Sequence, residues 1–259
     1  MNEAVKVDDV TQVYVTEQRA TLAIQQMSFA IHRGEFVSLI GPSGCGKTTV
    51  LSIIAGLIAP TVGTVQVAGE TVRGPSTRVG YMLQQDYLFP WRTIADNAAI
   101  GLEISGTLSK EKKEEVLHLL DEMGLLRFKD YYPAQLSGGM RQRVALVRTL
   151  ATDPEILLLD EPFSALDYQT KLQLEDLVVE TLRAKRKTAL LVTHDISEAI
   201  AMSDRVIVLE PNPGRIRKQF EVPTAIRDPL PFVAREQPGF NALFRDIWQE
   251  FGGDTDAES

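Results

Sequence analysis

Residues 41–48 read Gly41, Pro42, Ser43, Gly44, Cys45, Gly46, Lys47 and Thr48, and they match the pattern G-x-x-x-x-G-K-[ST] at every fixed position. The apolar run at 35–40 predicts a short strand that leads directly into this stretch, and residues 48–59 predict a buried helix that Pro60 stops. An accidental glycine turn would not be expected to carry a Lys-Thr pair between a strand and a helix. The stretch therefore predicts an α/β fold with a phosphate-binding loop.

The residues of this loop have the chemistry that a nucleoside triphosphate requires. Its glycines let the backbone curl so that successive N–H groups face the phosphates, and the following helix adds the positive end of its dipole. Lys47 supplies a mobile positive charge, and the hydroxyl of Thr48 is a ligand for Mg²⁺. Together with Thr49, residues 41–48 are the predicted binding site for ATP, with Mg²⁺ as its metal.

Two carboxylates follow a second apolar run, Ile-Leu-Leu-Leu at 156–159. Asp160 is predicted to hold Mg²⁺ through water, and Glu161 is predicted to polarise the attacking water. Acidic residues often follow strands by chance, because loops are polar. Here the phosphate loop requires an acidic partner of this kind, so the catalytic interpretation is favoured.

The remaining strand patterns surround the loop in sequence. Residues 5–15 and 20–31 alternate apolar and polar side chains and predict antiparallel strands, and residues 64–72 predict a hairpin that turns at Gly69. The continuous apolar run at 189–192, like that at 156–159, is typical of a buried parallel strand. The sequence thus predicts an N-terminal antiparallel β subdomain beside a parallel sheet.

A helical subdomain is predicted at about residues 86–150, inserted into the α/β body. Ser109 is a candidate N-cap for a helix that runs through Met123 and closes at Gly124. A second helix is expected to begin after Ser137. The insert would belong to one ATPase domain at residues 1–225.

Residues 226–259 form a C-terminal extension that begins among several prolines. Its last segment predicts a helix with six apolar side chains on one face. They are Phe240, Leu243, Phe244, Ile247, Trp248 and Phe251. The polar face lacks the Lys and Arg excess of a membrane-surface helix, so packing on its own domain or on a dimer mate is favoured.

The composition restricts the classes of partner and of compartment. The net charge of −8 argues against a nucleic-acid partner, since phosphate backbones are held by Lys and Arg. We expect no secretory signal, and no apolar stretch approaches the roughly 20 residues that span a bilayer. The single cysteine, Cys45, fits a reducing compartment. It is either a small loop residue or a thiol whose pKa the helix N-terminus lowers, which would make it sensitive to thiol reagents.

The stretch Leu-Ser-Gly-Gly-Met-Arg-Gln-Arg at 136–143 would alone indicate a Ser N-cap with a flexible glycine pair. It stands, however, in a fixed order with other short motifs. They are the loop at 41–48, Gln84, Leu-Leu-Leu-Asp-Glu-Pro at 157–162, Ser-Ala-Leu-Asp at 164–167, and Thr193 with His194. Jointly these motifs resemble the ATP-binding subunit of ABC transporters over roughly residues 5–220. One departure is Met140, where the family's signature often has Gln.

The resemblance implies a P-loop ATPase core of the ABC type in which two subunits sandwich two ATP molecules. The loop at 41–48 of one subunit would face Ser137, Gly138 and Gly139 of the other. These three residues begin a helix and would offer a second anion-binding N-terminus to the γ-phosphate. One chain would then hold half of each site, with a second copy of the chain as the expected partner.

Four single residues receive roles from the same resemblance. Gln84 would reach Mg²⁺ or the attacking water, and His194 would contact the γ-phosphate. Asp167 would cross the dimer interface. Tyr14 would stack on adenine, and a half-buried strand tyrosine is an equally good interpretation of that residue.

A membrane permease is the further partner that the resemblance implies, with a solute-binding protein as an indirect one. The segment from Gln84 to Arg92 carries three aromatic residues and a proline, and an exposed apolar cluster of this kind indicates a contact surface. The competing interpretation is that these rings fill the core of the helical subdomain. The run Leu-Phe-Pro-Trp-Arg-Thr at 88–93 and residues 211–216 resemble the importer branch for nitrate, sulfonate, taurine and similar anions or pyrimidines. The expected location is the cytoplasmic face of the cell membrane.

Two other classes share parts of this pattern. An ABC-type ATPase of DNA repair or chromosome organisation would carry long heptad coiled coils, which this sequence lacks. A regulator that binds ATP without hydrolysing it would not need both Glu161 and His194. The importer ATPase is therefore the favoured prediction.

Overall fold

The computed structural model describes residues 3–16, 19–164 and 166–252, with side chains described as far as residue 250. Four of its strands form an antiparallel sheet in the order β2-β1-β4-β5. They are β1 (Glu3–Val15), β2 (Ala20–His32), β4 (Val62–Val67) and β5 (Glu70–Thr71). Ala68 and Gly69 have φ values of +51° and +81°, as a tight hairpin turn requires. The predicted antiparallel strands and the turn at Gly69 are confirmed.

The second sheet has six strands in the order β10-β9-β3-β8-β7-β6. They are β3 (Phe36–Ile40), β6 (Val79–Met82), β7 (Ile156–Asp160), β8 (Thr188–Thr193), β9 (Arg205–Glu210) and β10 (Arg215–Glu221). All neighbouring pairs are parallel except β9 with β10. Every residue of β3, β7 and β8 is buried, which explains their continuous apolar runs.

The register of this sheet brings four strand ends to one edge. Ile40 pairs with Thr193, Asp160 with Val192, and Met82 with Leu159. The loops that follow β3, β6, β7 and β8 therefore leave the sheet side by side. Ligand sites of open parallel sheets lie at this carboxyl edge.

Helix α1 (Lys47–Ile54) is shorter than the predicted helix at 48–59. Just after its end lies Gly56, which has a φ of +74° and donates its N–H to the carbonyl of Ile53 at 3.0 Å. A Cβ on Gly56 would lie 2.2 Å from the carbonyl oxygen of Gly74. The helix therefore stops before Pro60 because the chain must pass close to a distant backbone segment.

Three helices form the segment between β6 and β7: α2 (Ile94–Ile104), α3 (Lys110–Glu122) and α4 (Gly138–Ala151), with 3₁₀ turns at Leu126–Phe128 and Pro133–Gln135. The hydroxyl of Ser109 accepts the N–H of Lys112 at 3.2 Å, and Gly124 has a φ of +68°. Both predicted helices are confirmed with their caps. Helix α2, which the sequence reasoning did not predict separately, is capped by Thr93.

The remaining helices are α5 (Tyr168–Ala184), α6 (Ile196–Met202), α7 (Thr224–Arg227), α8 (Pro231–Ala234) and α9 (Phe240–Gly252). Helix α9 packs on α6, β9 and β10 of its own chain. Phe240 and Ile247 are buried there, whereas Trp248 is exposed and stacks on Phe244 at 6.2 Å between ring centroids. The predicted packing on its own domain is confirmed, and the side chain of Phe251 lies outside the described residues. None of the helices in the described ranges combines the length and the apolarity that a bilayer span requires.

Candidate nucleotide-binding site

Three glycines shape the loop at 41–48. Gly44 and Gly46 have φ values of +81° and +88°, a conformation that strains residues with a Cβ. Gly41 has no room for a side chain, since a Cβ there would lie 2.6 Å from the sulfur of Cys45. The chain thus turns tightly from the buried strand β3 into the amino end of α1, as the sequence motif requires.

Lys47, the first residue of α1, is folded onto this loop and is only 8 % exposed. Its ammonium donates hydrogen bonds to the carbonyl of Gly41 at 2.7 Å and to the carbonyl of Pro42 at 3.0 Å. Bonds between an ammonium and anionic oxygens are stronger than bonds to neutral carbonyls. The ammonium is therefore placed to exchange these carbonyls for the oxygens of a phosphate.

Asp160 at the end of β7 faces the start of α1. Its two carboxylate oxygens accept hydrogen bonds from the hydroxyl of Thr48 at 3.4 Å and from the hydroxyl of Tyr81 at 3.1 Å. Burial raises the pKa of Asp160, and these hydrogen bonds act against that rise. Burial and the adjacent charge of Asp160 together raise the pKa of Tyr81, which keeps its hydroxyl protonated as a donor. Tyr81 was not among the predicted site residues.

The oxygens of Thr48 and Asp160 suit Mg²⁺, which proteins usually hold through one or two side chains, substrate phosphates and water. No group of three or more His, Cys, Asp or Glu within the described ranges could hold a metal ion by itself. Gln84, the third predicted metal residue, contacts Glu161 in this structure and not Asp160.

Glu161 lies at the centre of a group of polar side chains. Its carboxylate accepts a hydrogen bond from the amide of Gln84 at 3.2 Å, and the same oxygen lies 3.4 Å from Nδ1 of His194. Glu161 has a φ of +45°, and its own N–H donates to the carbonyl of Val192 in β8 at 2.9 Å. The carbonyl of Glu161 accepts the hydroxyl of Ser164 at 3.0 Å. This unusual backbone conformation turns the side chain toward the loops after β6 and β8.

These residues surround an open cleft of about 350 Å³. Nine residues line it: Ala23, Ser43, Gly44, Gly46, Lys47, Thr48, Thr49, Glu161 and His194. Tyr14 stands beside it, 43 % exposed, with its hydroxyl 3.4 Å from the hydroxyl of Thr49. The cleft combines a cation, a glycine-rich backbone and a carboxylate, which is the combination that binding and hydrolysis of a nucleoside triphosphate require.

The predicted signature residues do not line this cleft. Ser137 caps α4 by accepting the N–H of Met140 at 3.3 Å, and it is exposed. Gly139 packs so closely on α5 that a Cβ would lie 2.5 Å from the side chain of Thr170. Asp167 caps α5 by accepting the N–H of Thr170 at 3.0 Å. Ser137, Gly138, Gly139 and Asp167 thus form a separate region of the chain, and Ala165 of the predicted motif at 164–167 lies outside the described residues.

Helix α4 is tied to the segment that begins at Gln84. The side chain of Gln142 donates to the carbonyl of Gln84 at 3.1 Å, and Arg141 pairs with Asp86 at 2.9 Å. Arg148 donates to the carbonyls of Asp86 and Tyr87 at 2.7 and 2.9 Å. The helix that begins at the signature therefore holds the segment that follows β6.

Within that segment, the exposure of the apolar and aromatic side chains differs from residue to residue. Leu88 is buried and Phe89 is half-buried, whereas Tyr87 is 59 % exposed and Trp91 is 71 % exposed. Asn97 of α2, itself fully buried, donates to the carbonyl of Phe89 at 3.1 Å and accepts the N–H of the same residue at 2.7 Å. Neither Tyr87 nor Trp91 fills the core of the helical subdomain, and Phe89 is only half-buried, so the contact surface stays a prediction.

Cys45 is completely buried in the loop. Burial raises the pKa of its thiol, and the nearby charge of Lys47 only partly opposes this. The alternative of a lowered pKa is wrong, because burial outweighs the electrostatic effect of the loop and the lysine. Cys45 is a small buried residue.

Comparisons with known proteins agree with this geometry. The sequence model of the family described as ABC transporter matches residues 24–164. An uncharacterized ABC transporter ATP-binding protein of Bacillus subtilis is 53 % identical over 244 residues, which cover 94 % of both chains. The taurine import ATP-binding protein of Roseobacter denitrificans is 44 % identical over 203 residues, covering 78 % of this chain and 76 % of that protein.

A solved structure is similar as well. It is the dimeric structure of a post-hydrolysis state of an ATP-binding cassette bound to ADP and Pi. The similarity has a TM-score of 0.75 and 34 % sequence identity, and it covers 85 % of this chain and 99 % of that one.

Proposed function

Because this chain belongs to the ABC transporter family and is an ABC-type ATPase, we propose that it powers an importer of a small anion through a separate membrane permease. One observation carries the proposal. The edge of the parallel sheet gathers a phosphate loop, a Glu161 carboxylate and the side chains of Gln84 and His194. The resulting cycle is one of ATP binding, closure, hydrolysis and reopening.

Residues 41–49 bind the triphosphate. The backbone of the loop and the ammonium of Lys47 receive the β- and γ-phosphates, and the ring of Tyr14 stacks on the adenine. Thr48 and Asp160 would hold Mg²⁺, which when bound would supply positive charge next to the phosphates. Tyr81 orients Asp160 through their hydrogen bond.

Glu161 acts as the general base. Its carboxylate takes a proton from the water that attacks the γ-phosphorus. Gln84 orients that water, and His194 donates a hydrogen bond to the γ-phosphate. Both residues already contact Glu161, so little rearrangement is needed to assemble the group around a phosphate.

A second copy of the chain completes each site. Ser137, Gly138 and Gly139 begin α4, whose amino end attracts anions, but they lie away from the cleft of their own chain. In the proposed dimer they receive the γ-phosphate bound by the partner, and Asp167 contacts the partner across the interface. The similar ATP-binding cassette is a dimer in its post-hydrolysis state, which supports this arrangement.

The permease docks on the segment from Gln84 to Arg92. Tyr87 and Trp91 offer exposed aromatic surface there, and aromatic residues are favoured at protein interfaces. Helix α4 joins this surface to the signature through Gln142 and Arg148. Closure of the dimer on ATP thus moves the docking segment, at the cytoplasmic face of the membrane.

The proposed cargo is a small anion of the sulfonate or nitrate kind, because the taurine import relative is 44 % identical. Expression of the chain with candidate permeases tests the proposal. Co-purification of one permease, followed by ATP-dependent uptake of taurine or nitrate into proteoliposomes, is the expected result. A chain that binds no permease, or a complex that transports only cationic solutes, would contradict it.

A further inference from the structure

Four charged side chains form a cluster behind the turn that carries His194, and it reaches from the buried interior to the half-buried Asp195. Three are carboxylates, and two of these are buried: Glu175 of α5, which is 0 % exposed, and Glu198 of α6, which is 3 % exposed. Lys171 of α5 lies between them, with its ammonium 2.8 Å from Glu198 and 3.9 Å from Glu175. The same ammonium donates a hydrogen bond at 2.7 Å to Asp195, the residue directly after His194. Lys171 thus connects the interior to the His194 turn.

A fifth charge reaches this cluster from the C-terminal extension. Arg235, at the end of α8, donates a hydrogen bond to the carboxylate of Glu175 at 2.6 Å. It also donates to the carbonyl of Pro231 at 2.8 Å, so the guanidinium is fixed on its own helix. The other carboxylate oxygen of Glu175 has no hydrogen-bond partner within the described part of the chain. Arg235 therefore provides the main compensation for a carboxylate that is fully removed from water.

Lys171 is the cation that all three carboxylates of the cluster have in common. Three carboxylates, those of Glu175, Asp195 and Glu198, share two cations, and all three lie within 4 Å of Lys171. Without Arg235, an ionised Glu175 would draw Lys171 toward itself, because an unpaired buried charge is costly. Burial also raises the pKa of Glu175 to about 7. Arg235 lowers this pKa, so in its absence Glu175 ionises at a still higher pH and the competition for Lys171 should be strongest well above neutral pH.

Backbone contacts hold the extension on the same helices. Arg183 of α5 donates to the carbonyl of Asp228 at 2.8 Å, and the carboxylate of Asp176 accepts the N–H of Phe232 at 2.8 Å. Helix α8 packs on both α5 and α6. Helix α6 begins at its N-cap Asp195. The extension is thus attached directly behind the turn that leads to the catalytic cleft.

We propose that Arg235 is a positioning residue for ATP hydrolysis, contributed by the C-terminal extension. By neutralising Glu175, it leaves Lys171 available to Asp195. Lys171 then fixes the turn that carries His194. The inference rests on the proposed role of His194 in hydrolysis, and it gives the extension control over the rate without contact to the nucleotide.

The test compares two methionine variants of the full chain. Arg235→Met keeps much of the side-chain volume and removes the charge, and its kcat for ATP should fall by about 10- to 100-fold at pH 8.5. Affinity for a fluorescent ATP analogue should stay within about twofold, since residues 41–48 are untouched. Arg245→Met is the matched control, because Arg245 is an exposed arginine of the same extension that bonds its own helix. It should behave as the wild type.

A second substitution distinguishes charge from packing. Adding Glu175→Gln to Arg235→Met removes the unpaired carboxylate and should restore most of the lost kcat. The loss of kcat in Arg235→Met alone should become smaller as the pH falls from 8.5 to 6, because Glu175 takes up a proton. Lys171, Asp195 and Glu198 are the other charged groups of the cluster. A normal kcat in Arg235→Met, a failure of Glu175→Gln to rescue it, or a defect that does not change with pH would overturn the inference.

Two further variants keep the test decisive. If Arg235→Met does not fold, Asp195→Asn tests the contact between Lys171 and Asp195 instead. Asn still caps a helix but no longer forms an ion pair with Lys171. A normal kcat in Asp195→Asn would overturn the inference. His194→Ala is measured in parallel. If His194→Ala loses hydrolysis while Arg235→Met keeps a normal kcat, only this inference is overturned. If His194→Ala hydrolyses ATP normally, the proposed role of His194 is overturned and the inference with it.

Discussion

His194 lies 3.4 Å from Glu161, measured from Nδ1 to the carboxylate oxygen that also accepts the amide of Gln84. The three side chains come from loops after three different strands of the parallel sheet. A carboxylate held on two sides has a defined orientation before any substrate arrives. This preorganisation is what general base catalysis requires of the protein.

Glu161→Gln should abolish hydrolysis and leave ATP binding intact. The amide keeps the shape of the side chain but cannot accept a proton from water, so turnover should fall by about 100- to 10,000-fold. The variant should accumulate as an ATP-bound dimer, detected by light scattering as twice the chain mass of 28.7 kDa. Glu155→Gln, at a partly exposed carboxylate before the same strand, is the control. Near-normal turnover in Glu161→Gln would show that another group is the base.

Lys47→Ala should weaken ATP binding. In the proposed complex the buried ammonium makes charge-assisted hydrogen bonds to the phosphates, and the loss of such bonds should reduce affinity by about 10- to 100-fold. Titration with a fluorescent ATP analogue measures the change, and thermal unfolding checks that the loop still folds. Lys6→Ala removes an exposed lysine of β1 and should bind normally. Unchanged affinity in Lys47→Ala would contradict the assignment of the loop.

Local patterns were sufficient to predict the loop, the buried strands and two helices with their caps. Each of these depends on residues that are neighbours in sequence, such as Ser109 with the helix it caps. The predicted length of α1 was wrong, because the helix stops where Gly56 comes close to the backbone of Gly74. That approach depends on how distant segments pack, which a local pattern does not record.

The missed site residues have the same explanation. Tyr81 and Arg148 act on partners 79 and 61 residues away. Tyr81 looked like one more residue of a strand, and Arg148 like one more polar residue of a helix. Likewise, the direction in which the pKa of the Cys45 thiol shifts depends on burial, which outweighs the effect of the helix terminus. Motifs identify the groups that meet the nucleotide more readily than the groups that hold them in place.

Tyr81→Phe should raise the Mg²⁺ concentration that hydrolysis requires. The hydroxyl of Tyr81 orients Asp160 at 3.1 Å, and removal of a residue that orients a metal ligand can weaken metal affinity by about 10-fold. Mn²⁺ bound with ATP, followed by its paramagnetic resonance signal, gives a readout that does not depend on turnover. Tyr132→Phe, at an exposed tyrosine, is the control. An unchanged metal requirement would mean that Tyr81 only fills space.

Trp91→Ala should uncouple transport while sparing the ATPase activity of the isolated subunit. The ring is 71 % exposed, so its removal should not disturb folding. A tryptophan at the centre of an interface often contributes 2 kcal/mol or more, which corresponds to about 30-fold weaker permease binding. Trp248→Ala, at an exposed tryptophan on α9, is the matched control and should transport normally. Equal loss of ATPase and transport in Trp91→Ala would contradict a role of the ring in permease binding alone.

Glu175→Gln should reduce the dependence of stability on pH. Burial raises the pKa of Glu175 from an ordinary 4.5 to about 7 in the folded chain. Between these values the unfolded chain binds fewer protons at this position than the folded chain, so stability falls as the pH rises. The contribution is fully present below pH 4.5 and is lost as the pH passes 7.

Urea unfolding at pH 5 and pH 8 measures this effect. The free energy of unfolding of the wild type should fall between these pH values by about 2–3 kcal/mol more than that of Glu175→Gln. Glu198, whose pKa is also raised by burial, is present in both proteins, and its charge is one of the causes that raise the pKa of Glu175. Glu180→Gln, at an exposed position of the same helix, should keep the slope of the wild type. If the free energy of unfolding changes equally with pH in the wild type and in Glu175→Gln, Arg235 keeps this carboxylate ionised even at pH 5. Glu175 and Arg235 would then form an ion pair at every pH tested.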